Sequence, residues 1–302
     1  MKSDGIIEWI GMETLVLFLA LVLILLFQTL RIMLGAIIGD IVGSIYEFDN
    51  IRTKDFPFFQ TEMECTDDSI LTFATAQWLL KGGDVANFYG DYAVRYPYPM
   101  GGYGGMFQQW ARNRKIYGKA APYNSCGNGS AMRVAPVGWA FQTEQEVMQW
   151  AETSAACTHN HPEGIKGAQA TALAILWARQ GVSAADIEKR ITQLFAYDLT
   201  MSVEELQQRY SWRGIDGQGN GGICQDSVPQ AIICALKADD FEDAIRNAVS
   251  IGGDSDTIGC ITGGIAEALY GIPSALRQKA MNYIPQDFMP TLLEFEEKFG
   301  AK

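Results

Sequence analysis

An all-α fold is what this sequence predicts, and three observations predict it. Apolar residues recur at helical spacing through most of the chain after Met33. Strand-like alternation over four or more residues is hard to find, and hairpin dipeptides do not flank apolar runs. The first periodic segment carries Ile70, Phe73, Ala74, Gln77 and Leu80 behind Thr66-Asp67-Asp68-Ser69, all residue types that cap helices. A second runs through "EGIKGAQATALAILWARQG" and ends at Gly181. A third, "FEDAIRNAVSIGG", stops at paired glycines that suit a C-terminal cap. In the fourth, "DTIGCITGGIAEALYGIP", Ile258, Ile261, Ile265 and Leu269 make one buried stripe that Gly271 and Pro273 close. No internal repeat and no low-complexity linker divides residues 33–302, so one domain is expected there.

The chain has 302 residues, 48% apolar and 19% charged, which is globular and not disordered. A net charge of −12 argues against nucleic-acid binding, since phosphate backbones need a basic patch. The same charge is compatible with carboxylates that divalent cations neutralise. Six cysteines without C-x-x-C spacing read as free thiols of a reducing cytoplasm. With only His159 and His161 present, a His-rich zinc site is disfavoured.

Residues 1–32 form a hydrophobic N-terminal extension unlike the rest. Thr14 to Leu30 is seventeen residues without a charge, the short end of what spans a bilayer. Lys2, Asp4, Glu8 and Glu13 precede it, and Arg31, Arg52 and Lys54 follow. If this helix inserts, that asymmetry leaves the main domain cytoplasmic and anchored to the inner membrane. The other reading is an upstream start of translation, with Met33 as the natural beginning. No positive n-region with a cleavage site marks a secretory signal.

Glycine is frequent, at 31 residues, and clusters in "MGGYGGMF", "GNGSAM", "GQGNGG" and "GGDSDTIGCITGG". Glycine costs stability inside helices, so these clusters are expected between helices or at their starts, where backbone approaches a ligand. Two acidic-hydroxyl clusters stand out: Thr66, Asp67 and Asp68, and Asp254, Asp256 and Thr257. Each alone is more often a cap than a ligand set. Together they offer four carboxylates and two hydroxyls, hard donors that suit Mg²⁺ or Mn²⁺ and not a soft metal. Four aspartates in one pocket without a cation would have raised pKa values and a stability cost.

"MLGAIIGDIVGSIYEF", "CTDDSILT", "GYGGMF", "GNGSAMR", "THNHPEG", "QDSVPQAI" and "SIGGDSDTIG" occur in this order, and the chain thereby resembles the ADP-ribosylglycohydrolases, in particular the dinitrogenase-reductase-activating glycohydrolase group. The resemblance covers residues 33 to 275. It implies an orthogonal multi-helix bundle with two Mg²⁺ ions, Mn²⁺ in some members. Thr66, Asp67, Asp68, Asp254, Asp256 and Thr257 would be the metal ligands. Glu47 matches a mobile acid near the metals, its alternative being an ordinary surface glutamate after a helix. Gly127, Asn128, Gly129, Ser130 and Met132 would line a diphosphate. His159 and His161 would lie toward the adenosine-ribose side, although histidines more often satisfy local turns. Asp226 is favoured as a helix-start residue, with Pro229 in the first turn.

The implied reaction cleaves the bond from the ribose anomeric carbon to a modified acceptor, either a protein side chain or a small ADP-ribosyl compound. Two ions would hold the ribose and activate water, with Asp67, Asp256 and Glu47 as catalytic carboxylates. Three rival readings remain: a catalytically silent binder, an immunity-type protein that blocks a toxin, and a phosphoesterase, whose usual histidine ligands are missing. Acceptor choice is expected to rest on residues 84–126 and 200–224.

Overall fold

The computed structural model describes residues 32–300. Among these, fourteen α-helices and four short 3-10 turns account for the regular structure, and the only β pairing is two isolated bridges, Thr66 with Met100 and Gly127 with Ile223. The all-α expectation holds. The apolar segment 14–30 lies outside the described residues, and among those described no helix is long and apolar enough to cross a membrane.

Two helices organise the centre. Helix α1 (Leu34–Gly43) is buried on every side. It is followed by a 3-10 turn at Ser44–Tyr46, and α2 spans Asp67–Lys81. Then come α3 (Val85–Arg95), α4 (Gly105–Tyr117), α5 (Ala135–Ala140), α6 (Glu144–Ala156), α7 (Pro162–Arg179), α8 (Ala184–Phe195) and α9 (Val203–Arg209). The chain finishes with α10 (Cys224–Leu236), α11 (Phe241–Ser250), α12 (Ser255–Tyr270), α13 (Ser274–Ala280) and α14 (Met289–Phe299). Helix α12 is buried from Ser255 through Glu267 and packs antiparallel against α1.

Glycines set that crossing. A β-carbon on Gly35 would lie 2.3 Å from the Gly263 carbonyl oxygen, one on Gly39 1.8 Å from that of Gly259, and one on Gly43 2.3 Å from that of Ser255. Every fourth residue of α1 therefore meets every fourth residue of α12, backbone against backbone, at a separation no side chain permits. Gly259, Gly263 and Gly264 thus lie within the fourth predicted helix, and the expectation that glycine clusters fall between helices or at their starts holds only for the beginning of the 252–264 cluster. Here glycine admits a neighbouring helix and not a ligand. The predicted stripe is buried at Ile258, Ile261 and Ile265, with Leu269 only partly covered. Because the pair is antiparallel, the end of α1 and the following Glu47 meet the start of α12, where Asp254 and Asp256 lie.

The paired glycines before α12 behave as read. Gly252 and Gly253 have φ of 66° and 76°, values that L side chains rarely adopt. Asn50 brackets this turn: its amide donates to the Gly253 carbonyl at 2.9 Å, and its Oδ1 accepts the Gly253 N–H at 2.8 Å. Elsewhere local signals decide helix starts, as in the capping boxes Thr143–Glu146 and Ser202–Glu205.

A buried acid joins the two central helices. Glu267 of α12 accepts the Gly35 N–H at 3.0 Å, and burial pushes its carboxyl up to about 8 from 4.5. Its folded pKa lies above the unfolded one, so its stabilisation is full below about 4.5 and lost as pH rises through about 8. We expect Glu267→Gln to flatten the fall of Tm across that window relative to wild type. Equal slopes in a pH series of thermal melts would refute the assignment.

Candidate active site and metal centre

Three helix ends meet at a cleft of about 540 Å³. The first is the start of α2. Thr66 is its N-cap, accepting the Asp68 N–H at 3.2 Å. The whole end is tied to α1 by Asp40, a residue that sequence reasoning passed over. Asp40 accepts the Thr66 N–H at 2.9 Å, the Thr66 hydroxyl at 2.6 Å and the Ser69 N–H at 3.1 Å, and also the Ser69 hydroxyl. Of the four residues able to cap α2, Thr66 does so, while the Ser69 hydroxyl is turned to Asp40. Asp40 was legible only as a polar residue inside an otherwise apolar helix.

The second end is the start of α12, with Asp254, Asp256 and Thr257 all nearly buried. Asp256 accepts the Thr257 N–H at 2.9 Å, and the Asn128 amide donates to Asp254 at 2.7 Å. The third contribution is Glu47, half-buried just beyond α1. One oxygen each of Asp40, Asp68 and Asp256 lie within 4.8 Å of one another, and so do those of Glu47, Asp254 and Asp256. Asp256 belongs to both groups. Asp67 lines the same cleft, as do Asp68 and Thr257, whereas the fully buried Thr66 does not.

Electrostatics tests whether these residues suit a cation. Burial, then the neighbouring acids, raises the carboxyls of Asp67, Asp68 and Asp256 well above the usual range. Asp254 is raised as well, chiefly by burial. Burial takes Asp40 to about 6, against the pull of its hydrogen bonds. Glu47 is driven to about 8 by burial, then by Asp254 and Asp40. Asp68 Oδ1 is buried with no hydrogen-bond partner. A crowd of acids sharing one buried space, one oxygen of it orphaned, fits a hard divalent cation, and the all-oxygen donor set excludes a soft one.

The rest of the cleft comes from the glycine-rich segments. Gly127, Asn128, Gly129 and Met132 line it, with Gly101 to Gly105 facing them. Ser130 does not: its hydroxyl donates to the Gly164 carbonyl at 2.7 Å and pins the turn to α7. Ser130→Ala should therefore cost about 1 kcal/mol in a urea melt while ligand affinity stays unchanged. The histidines part company. His159 lines the cleft, while His161 is the N-cap of α7, accepting the Glu163 N–H at 3.1 Å. Asp226 sits in the first turn of α10 and accepts the Asn220 N–H at 2.7 Å, holding the "GQGNGG" loop. Pro229 lies further into that helix.

Both segments expected to choose the acceptor supply wall residues, Tyr103, Phe107 and Tyr123 from the first and Trp212 and Gly222 from the second. Trp212 donates its indole N–H to the Glu47 carbonyl at 2.9 Å and stacks on Phe48 at 6.2 Å between ring centroids. An isolated tryptophan in a polar loop gives no sequence signal for that role.

The sequence profile of the ADP-ribosylglycohydrolase family matches residues 28–298. The ADP-ribosylhydrolase ARH3 of Mus musculus is 29% identical, covering 87% of this chain and 86% of its own length. Its counterpart in Homo sapiens is 29% identical over 84% of this chain and 89% of its own. The ADP-ribosylarginine hydrolase Tri1 of Pseudomonas putida is 24% identical over 80% and 70% respectively. Among solved structures, an ADP-ribosylglycohydrolase-related protein complex superposes with a TM-score of 0.66 at 21% identity, covering 91% of this chain and 98% of that one, which is a likeness of fold. The chain belongs to the ADP-ribosylglycohydrolase family of hydrolases.

Proposed function

We propose that this enzyme hydrolyses the glycosidic bond between ADP-ribose and an acceptor with two Mg²⁺ ions, Mn²⁺ being an alternative. The observation that carries this reading is the pair of carboxylate groups that share Asp256. Asp68, Asp256 and Asp254, with Asp67 and the hydroxyls of Thr66 and Thr257, would hold the ions. Asp40, with four hydrogen bonds already on its two oxygens, would orient Thr66 and the start of α2. When bound, the metals supply positive charge that grips ribose hydroxyls and lowers the pKa of a water molecule.

The chain's own residues do the remainder. The Gly127–Gly129 turn brings backbone against the diphosphate, since no β-carbon intervenes. Asn128 steadies Asp254 from the same turn, so substrate and ligand positions are coupled through one side chain. Glu47 faces Asp254 and Asp256 and takes the role of orienting the attacking water, or a non-bridging oxygen of Asp256 does so. Tyr103, Phe107 and Tyr123 cover the cleft wall and keep bulk water from the developing oxocarbenium ion. Residues 33–302 act in this reading as one catalytic domain.

The test is release of ADP-ribose from arginine, serine and nucleic-acid-base linkages and from small ADP-ribosyl compounds, each with Mg²⁺ and with chelator. Release from at least one linkage, abolished by chelator, is expected. Full release with chelator present would overturn the metal-dependent reading.

A further inference from the structure

Arg133 is fully buried yet forms no ion pair among the described residues, and its Nε and Nη1 have no hydrogen-bond partner. Its guanidinium lies 4.0 Å from the centre of the Tyr89 ring. A buried cation without a carboxylate is costly, so its two hydrogen bonds carry weight; the longer goes from Nη2 to the Ser154 carbonyl at 3.3 Å. Arg133 Nη2 donates to the Thr158 hydroxyl at 2.7 Å, and that hydroxyl lies 2.8 Å from His159 Nδ1. The imidazole packs edge-on against Tyr123, and a β-carbon built on Gly129 would stand 3.1 Å from its Nε2. Nδ1 therefore faces the hydroxyl that the buried arginine holds, and Nε2 faces the turn assigned to the diphosphate.

We infer that Arg133 and Thr158 are positioning residues that fix the tautomer of His159, so that its Nε2–H is offered to the ligand in the cleft. The proton count runs from Arg133 outward. Arginine can only donate, so the Thr158 oxygen accepts from it. The threonine has one proton, with two acceptors in reach: His159 Nδ1 at 2.8 Å and the Ala155 carbonyl at 3.4 Å. The Ala155 carbonyl already accepts two backbone N–H groups, those of His159 at 2.7 Å and Thr158 at 3.1 Å, so the hydroxyl proton goes to Nδ1, and a hydroxyl that accepts from a cation is the stronger donor for doing so. Nδ1 is then an acceptor, and the ring proton of the neutral imidazole sits on Nε2. Burial, then Arg133, holds the His159 pKa well below its ordinary value, so the ring stays neutral. A neutral donor of fixed direction suits a diphosphate oxygen beside the Gly127–Gly129 backbone. This assignment of the ligand rests on the functional reading above; the tautomer does not.

The experiment is ¹⁵N NMR of the full chain with labelled histidine rings, with His161→Asn assigning the two residues. We expect His159 Nδ1 at the unprotonated position and Nε2 at the protonated one. Thr158→Val, which removes the hydroxyl and keeps the shape, should mix the tautomers and weaken ADP-ribose binding about tenfold. Thr158→Ser should keep both properties. Arg133→Gln, if folded, should also mix the tautomers. A wild-type His159 protonated on Nδ1, or an unchanged tautomer in Thr158→Val, overturns the relay. Wild type with the expected tautomer but no ADP-ribose binding supports the relay and overturns the functional reading instead.

Discussion

Asp256→Asn is expected to lower ADP-ribosyl hydrolysis by roughly 10³-fold or more, because it removes the one carboxylate common to both acid groups. Its effect on stability should run the opposite way in the absence of metal. Asp256 is buried, and Asp254, Asp68 and Glu47 raise its carboxyl further, so replacing it relieves repulsion. In chelator, the variant should melt at or above the wild-type temperature. Adding Mg²⁺ should raise the wild-type Tm, by the equivalent of about 2.7 kcal/mol at one hundred times Kd, and leave the variant unmoved. The two readouts together separate loss of a ligand from loss of the fold. A variant that gains as much from Mg²⁺ as wild type would show that Asp256 is no ligand, whatever its activity.

Gly39→Ala should destabilise the protein by about 3 kcal/mol or more, a large effect for a single methyl group. That methyl would stand 1.8 Å from the Gly259 carbonyl oxygen, a backbone atom that moves only with its helix. Helices α1 and α12 must separate, and the cost reaches the cleft because Asp40 is the next residue along. Pushed off Thr66 and Ser69, Asp40 no longer holds the start of α2, and Mg²⁺ affinity should fall with stability. Gly104→Ala is the matched control, since a β-carbon there meets nothing within 4 Å. It should change stability by no more than about 0.5 kcal/mol. Urea midpoints of the two variants decide the matter; similar midpoints would mean that the α1–α12 contact does not set stability.

Several residues read from sequence lie together in the folded chain. Asp67, Asp68, Asp254, Asp256 and Thr257 face one cleft, and each announced itself by neighbours one or two positions away. Gly252 and Gly253 likewise showed their turn through their own backbone freedom. Asp40 and Asn50 gave no such sign. Each acts on a partner distant in sequence, Asp40 on Thr66 and Ser69, Asn50 on Gly253, so only the folded chain shows what each holds. Ser130 and His161 erred in the other direction. Both stand in segments whose neighbours line the cleft, but the 3-10 turn and the α7 cap point their polar atoms elsewhere.

By itself, the sequence determined the helical class, the hard-oxygen character of the site and the family, since period, residue type and motif order are all carried along one dimension. The tertiary structure decided that glycines in α1 and α12 serve helix contact, that Asp256 is shared by two acid groups, and that Asp40 anchors α2. Each of these is a distance between segments far apart in the chain. Such distances follow from how closely two backbones can approach, and the antiparallel register of α1 on α12 sets them.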